Sequence, residues 1–371
     1  MSNRPEDLLA TAVAAAHAGA AVLRRYFRSA DLEVAVKGEN DFVTRADRES
    51  EAAVLGEIRR RHPTHRILAE ESGRSGVGDG DGDGDAGDAG GSGDGGSGGG
   101  GGGEGGGSGR GGAEGGGGGR GGAEGGGSGR GGAEGGGGRD GGGGGHGGAA
   151  GGGVAGAGHE WLVDPLDGTT NFLQGLPVFC VSVACRYGDQ VVAAVVEDPI
   201  GGNLFTAALG GGAHWNGRPM SASRQPGLRG AFLATGYPFR SHGTLDVYLA
   251  TFRDVFLQAK AIRRCGAAAL DLAYTAAGVY DGFFEFRLSP WDIGAGVLLV
   301  REAGGVVTDV DGGEGFFASG NVVAGAPPVQ RELRQAVAAH ASEAEIDRLS
   351  PAPASPQPPA GAPGPGGPGK P

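Results

Sequence analysis

Cysteine is scarce in this chain: there are three in 371 residues, and Cys180, Cys185 and Cys265 show neither an even count nor metal-site spacing. That argues against a disulfide framework and a Cys/His zinc cluster, and suits buried, reduced thiols in a reducing cytoplasm. Long apolar runs are also missing. None reaches the length expected of a bilayer span, so no membrane partner is expected. Arg4, Glu6 and Asp7 precede the first apolar residues and no cleavage-like site follows, so a secretory signal is not expected. The expected location is cytoplasmic.

The severest shortage is local. From Gly76 to Gly158 there is no Leu, Ile, Met, Phe, Tyr or Trp, and 52 of 83 residues are glycine. Such a segment cannot bury enough apolar surface to offset its ordering entropy, and disorder is expected. Ten-residue units such as GGAEGGGGGR recur in it from Gly101, but they lack the apolar face that solenoid repeats need for stacking. Matches to G-x-G-x-x-G are accidents of composition, and no Walker-type G-K-[ST] occurs there. Arg-Gly-Gly triplets at Arg110, Arg120 and Arg130 resemble RNA-binding tracts, yet the segment has no aromatic for base stacking. Its 11 acidic residues and 4 arginines carry −7 of the formal −12, leaving −5 for the remainder. No broad basic surface is present, and a nucleic-acid partner is not expected.

Without that insert and the Pro/Gly-rich tail (350–371), about 265 residues of ordinary globular composition remain, enough for one sizeable domain. The expected organisation is a single domain from 1–75 and 159–349, interrupted at 76–158. Apolar spacing predicts a helix over Pro5–Arg28, a second ending near Arg61, a third over Thr244–Gln258 and a closing one over Pro327–Leu349. In the third, Leu245, Tyr248, Leu249, Phe252, Val255 and Phe256 are expected to face inward. Strands are expected at Arg66–Ala69 and through a meander from Val178 to Asn216, with Asn216-Gly217 as a hairpin turn.

The chain is organised around Trp161–Phe172, WLVDPLDGTTNF. Trp161-Leu162-Val163 reads as a buried strand that ends where Asp164-Pro165-Leu166-Asp167 begins. Two carboxylates three residues apart, stiffened by Pro165, make an oxygen-rich corner suited to a hard cation, and the Leu166 carbonyl can join it. Gly168 permits close backbone approach, and free N–H groups of a helix starting at Gly168-Thr169-Thr170 would hold an anion. An ordinary Asp/Gly turn is the alternative for this stretch alone. Three further segments stand around it: D-x-x-T-x-x-D from Asp41 to Asp47, I-L-A-E-E-S-G from Ile67 to Gly73, and W-D-x-x-A-G from Trp291 followed by E-A-G-G from Glu302. Singly, each reads equally well as helix-capping or solvated acid residues.

Together and in this order, these motifs resemble the inositol monophosphatase family, over essentially all of Pro5–Leu349 except the insert. The resemblance implies an α/β class, an α-β-α-β-α layered sandwich, a homodimer and Mg2+-dependent hydrolysis of phosphate monoesters. It implies Glu70, Asp164 and the Leu166 carbonyl around one Mg2+, and Asp164, Asp167 and Asp292 around a second, with Glu70 touching a weaker third. Asp47 and Thr169 would orient the attacking water and Glu70 would favour its deprotonation. Gly168 and Thr169 would hold phosphate, while Asp167, Gly266, Ala267, Ala268 and Glu285 would contact a phosphorylated polyol. Ala267 departs from the serine of close bacterial members and removes a hydroxyl beside the substrate. The activity implied is myo-inositol-1-phosphate phosphatase with breadth for other polyol and sugar phosphates. Alternatives are a 3′-phosphonucleotide, fructose-1,6-bisphosphate or histidinol-phosphate phosphatase, or a regulatory protein of transcription complexes.

Overall fold

Pro5 in the first turn, Glu6 and Asp7 beside it, and Arg24 and Arg25 in the last turn all favour helix α1 (Pro5–Tyr26). In the computed structural model, residues 3–29, 32–38, 41–75, 158–239, 242–342 and 345–346 are described. The expected disordered insert, apart from Gly158, and the expected flexible tail lie outside them. The chain divides into Met1–Gly80 with Val154–Pro371, which holds every described residue, and Asp81–Gly153.

After α1 come the hairpin β1 (Val34–Gly38) and β2 (Asp41–Thr44), then α2 (Arg45–Arg61). The first large sheet is built from β3 (Arg66–Ala69), β4 (Gly73–Ser75), β5 (His159–Asp167), β6 (Cys180–Tyr187), β7 (Gln190–Asp198), β8 (Asn203–Ala208), β9 (Ala213–Trp215) and β10 (Arg218–Pro219), with the single-turn α3 (Thr169–Leu173) after β5. Its order is β10-β9-β8-β7-β6-β5-β3-β4, and only β3 and β5 run parallel. The remainder supplies β11 (Phe232–Thr235), α4 (Leu245–Phe256), β12 (Ala261–Arg263), α5 (Ala268–Ala276), β13 (Gly282–Glu285), α6 (Pro290–Glu302), β14 (Val306–Thr308), α7 (Phe316–Ser319), β15 (Val322–Gly325) and α8 (Pro327–Ala338). Five of these strands form a second sheet, β12-β11-β13-β15-β14.

Side-chain alternation assigns the layers. Trp161 and Val163 point to one face, where Val181, Val183 and Val195 join Leu8, Ala12, Ala16 and Leu23 of α1 and Val54 and Ile58 of α2. Leu162 points to the other face and meets Leu272 of α5 and Leu298 of α6, which also cover Phe283 and Ala324 of the second sheet. Leu233, Phe284 and Val323, from alternate positions, pack under α4 and α8. The result is α-β-α-β-α, as the sequence led us to expect.

Several boundaries differ. β5 does not end before Asp164: it runs on to Asp167 through a register shift against β6 between those two residues. Pro165 lies in that shift, where its missing N–H breaks no ladder bond. α4 buries Tyr248, Thr251 and Val255, whereas Leu245, Leu249 and Phe256 are 43%, 51% and 62% exposed. Its apolar stripe is wider than the strip that the second sheet and α8 cover. α8 stops at Ala338, and Ser342 N and Oγ both donate to Glu345 Oε2, a capping arrangement that starts a new turn. Cys265 is only partly buried, unlike Cys180 and Cys185. The expectation that no apolar run could reach across a bilayer is corrected by α1. It has 22 residues and a mean hydropathy of 1.3 over its most apolar stretch, owing mainly to alanine. Its buried stripe packs on α2 and the first sheet, as a core helix does, and Arg24 and His17 pair with Glu197 of β7.

α6 lies so close to its neighbours that Cβ has no room at two of its positions. At Gly294 it would meet Leu162 Cδ1 at 2.7 Å, and at Gly296 it would meet Leu272 Cβ and Cδ1 at 2.5 Å. Gly296→Ala should therefore destabilise the fold by about 1–2 kcal/mol in urea titration, overpacking outweighing the helix propensity of alanine. At the start of β5, His65 stacks between His62 (4.5 Å) and His159 (4.9 Å) and accepts from Trp161 Nε1 at 3.1 Å. Burial first, then the neighbouring His62 and His159, lowers its pKa from 6.5 to about 4. The unfolded chain binds more protons at this residue between those values, so its contribution to stability falls as pH drops from about 6.5 towards 4. In paired urea titrations at about pH 7.5 and 5, the drop should be smaller for His65→Phe than for wild type.

Candidate active site

Two helix starts bring acid residues to the corner at the end of β5. Thr44 caps α2 and Asp47, its third residue, closes the capping box, accepting from Thr44 N at 2.9 Å and Thr44 Oγ1 at 2.5 Å. The carboxylate is fully buried, and its other oxygen accepts from Thr169 Oγ1 at 3.3 Å; that hydroxyl also lies 3.1 Å from the Leu166 carbonyl. Asp292 occupies the same position in α6, where it accepts from Ser289 N at 2.7 Å. Capping and site placement are thus one geometry, not alternatives. Ser50 of α2 adds a buried hydrogen bond of 2.9 Å to the Pro165 carbonyl.

Asp167 faces the start of α5, accepting from Ala268 N at 3.2 Å and Ala269 N at 2.8 Å. Gly168 takes φ +96° and Gly266 φ +84°, conformations that suit glycine. The two backbones nearly touch: a Cβ at Gly168 would lie 3.3 Å from the Gly266 carbonyl oxygen. Asn171 fixes this approach by donating to the carbonyls of Val178 at 2.7 Å and Cys265 at 2.9 Å. Behind Glu70, the buried Glu51 accepts from Glu71 N at 2.8 Å and so positions the turn after β3.

A cavity of about 390 Å3 collects Glu70, Asp164, Leu166, Asp167, Gly168, Thr169, Gly266, Ala267, Ala268, Glu285 and Asp292 along its wall. Every expected site residue therefore lines one space except Asp47, which lies behind Thr169. Phe42, Tyr237, Phe239, Arg264 and Arg287 also line it. Neither they nor Glu51 and Asn171 were given a role from the sequence. Asn171 stands inside the WLVDPLDGTTNF motif and Phe42 inside the Asp41–Asp47 segment, which could have flagged them; the others carry no motif.

The electrostatics are strained. Burial, reinforced by the charges of Glu70, Asp167 and Asp292, pushes the Asp164 carboxyl well above the usual range. Burial also pushes Asp167 up to about 6, against the opposing pull of the Ala269 and Ala268 N–H groups and the Cys180 thiol. Glu285 is pushed well up by burial and then by Asp271, while Arg264 opposes. A cation among these groups would relieve both desolvation and mutual repulsion. Among the described residues, no three His, Cys, Asp or Glu side chains converge as a ready-made metal cage. The fit to Mg2+ is therefore one of donor chemistry: the residues offer only hard oxygens, and crowded carboxylates attract a cation.

The same chain has known relatives. The Nus factor SuhB of Salmonella typhimurium is 35% identical over 327 residues, covering 88% of this chain and 94% of the relative. The inositol-1-monophosphatase of Mesorhizobium japonicum is 48% identical over 179 residues, 48% of this chain and 67% of the relative. The crystal structure of the extragenic suppressor protein suhB from Bartonella henselae aligns at 32% identity with a TM-score of 0.65, covering 89% of this chain and 98% of that one. A profile of the inositol monophosphatase family matches residues 4–87 and 145–345. Across most of its length, then, this chain belongs to the inositol monophosphatase family.

Proposed function

We propose that the protein is a Mg2+-dependent phosphate monoester hydrolase acting on polyol and sugar phosphates, with myo-inositol 1-phosphate as the leading substrate. Family membership supports a phosphatase. The observation that carries the reading is the confluence of Glu70, Asp164, Asp167 and Asp292 with Gly168 and Thr169 along one cavity. Clustered, desolvated carboxylates are costly to keep, and a scaffold has no need of them.

In this reading Glu70, Asp164, the Leu166 carbonyl, Asp167 and Asp292 would hold Mg2+, which when bound supplies positive charge against the phosphate oxygens. The N–H groups of Gly168 and Thr169 bind the phosphate; α3 is a single turn, so the donors at this bend matter more than a helix dipole. Thr169, anchored on Asp47, holds a water in line with phosphorus, and Glu70 favours loss of its proton. The new P–O bond forms as the bridging ester bond breaks, and the departing alcohol takes its proton from solvent. Glu285, with Ala267 and Ala268, faces the polyol. Ala267 is buried and gives this wall no hydroxyl.

A homodimer, a cytoplasmic setting and a single domain formed by 1–75 and 159–349 belong to the same proposal. A second reading, a binding role in transcription complexes, is favoured by the relative's name, Nus factor. That name gives no support to ruling out nucleic-acid-bound partners. Recovery of RNA polymerase on the purified chain from native extract would favour this role.

Asp167→Asn and Asp292→Asn should each lower turnover at saturating Mg2+ at least about a hundredfold, the scale of losing a main electrostatic stabiliser. Removing metal with a chelator should abolish phosphate release and readdition should restore it. Near-normal turnover in either variant would sink the assignment. Glu285→Gln should weaken use of inositol 1-phosphate more than that of an aryl phosphate, which offers no ring hydroxyls. Equal losses would make Glu285 structural.

A further inference from the structure

Arg264 is an exposed cation set into the wall of this cavity, and the mechanism above does not use it. Its guanidinium lies over two aromatic rings at once, 5.3 Å from the centroid of Tyr237 and 5.0 Å from that of Phe239. It folds back onto Gly266 so closely that a Cβ there would collide with its Nη1. Gly266 in turn abuts Gly168, where the phosphate is proposed to bind. No hydrogen bond or ion pair engages Arg264 among the described residues. Glu285 feels its charge yet packs against Gly236, and Asp271 is buried beneath it in α5.

The two rings restrict where the guanidinium can go without neutralising it. Cation–π stacking holds the head group at modest cost and leaves its N–H edge able to take a planar or tetrahedral anion. A surface arginine needed only for solubility would not require a double aromatic rest beside a glycine that must stay small. Volume does not oppose a second group, since about 390 Å3 falls within the usual range of small-molecule pockets.

From this we infer that Arg264, rested on Tyr237 and Phe239, forms a subsite for a second anionic group on the substrate, beside the phosphate that is hydrolysed. The inference rests on the phosphatase reading and refines it. The second phosphate of a sugar or nucleoside bisphosphate gains a contact here that the same compound with one phosphate lacks, so these compounds extend the substrate range beyond inositol 1-phosphate and are preferred over their own monophosphates. Arg264 recognises the group that stays on the product, so its contribution appears in binding rather than in the chemical step.

The test compares the full-length chain and Arg264→Gln, with Mg2+, on inositol 1-phosphate, fructose 1,6-bisphosphate and adenosine 3′,5′-bisphosphate. Alongside, calorimetry measures binding of fructose 1,6-bisphosphate and fructose 6-phosphate. Arg264→Gln should reduce kcat/KM for one or both bisphosphates at least about tenfold more than for inositol 1-phosphate, mainly through KM, and reduce bisphosphate binding in parallel. The wild-type preference should shrink as NaCl rises, as a contact between exposed charges requires. Equal losses on all substrates would place Arg264 on the scissile phosphate and overturn the inference, leaving the phosphatase reading intact. Absent hydrolysis of every substrate, with selectively weakened bisphosphate binding, would sink the phosphatase reading and keep the subsite. If Arg264→Gln fails to fold, a wild-type preference indifferent to salt, or no preference, overturns the inference.

Discussion

Like charges forced together out of water are the constraint on which this architecture depends. Asp164 is buried with Asp167 beside it and feels Glu70 and Asp292. Unrelieved, such a group would take up protons or push the elements apart. The fold answers with backbone donors. The starts of α2, α5 and α6 aim N–H groups at Asp47, Asp167 and Asp292 respectively. Three helices, α2 from an outer layer and α5 and α6 from the layer between the sheets, thus begin at one corner, each held there by the acid that caps it. The two sheets and the helical layers between and outside them are the packing that makes this meeting possible.

In the proposed reading the same residues serve local stability and chemistry. A capping aspartate stabilises its helix by about 1 kcal/mol wherever it occurs, so its presence says little about function. What distinguishes Asp47 and Asp292 is the direction of their helices. α2 is pinned by the hydrogen bond from Ser50 to Pro165, and α6 is pressed between sheet and helix by its two glycines. These backbone and packing contacts hold the two axes in place, which is what a site built from several elements requires.

Much of this was legible in the sequence because it is written in short-range pattern. Alternating apolar residues in Val178–Glu197 specify buried strands, and WLVDPLDGTTNF marks the corner once the motifs at Asp41–Asp47, Ile67–Gly73 and Trp291 stand around it. Apolar spacing at Thr244–Gln258 gave the helix but not how much of its stripe would be covered, since that depends on the width of the second sheet; hence Leu249 and Phe256 emerge at the surface. The strand through Pro165 was hidden because a proline in a bulge looks like a strand end. Glu51, Tyr237, Phe239 and Arg264 have no local signature at all. Tyr237, Phe239 and Arg264 reach the cavity wall, and Glu51 the turn behind Glu70, only through tertiary placement, from loops and a helix far apart in the chain.

The parallel pairing of β3 with β5 has a consequence for how the molecule forms. These strands are neighbours in the sheet; Glu70 follows Ala69, the last residue of β3, and Asp164 follows Val163, its partner in β5, yet the two acids stand 94 positions apart in the sequence. Closing so long a span adds little to the equilibrium cost, because loop entropy grows only with the logarithm of length. Its weight falls on the rate. Strands β5 to β9 can assemble as a local meander, whereas β3 must be recruited from a distant segment before the sheet is complete. Until α1 and α2 dock, the face of the sheet that carries Trp161 and Val163 stands open to other chains. Slow acquisition of the last strands, and vulnerability to association during that interval, are built into the topology of the acid corner itself.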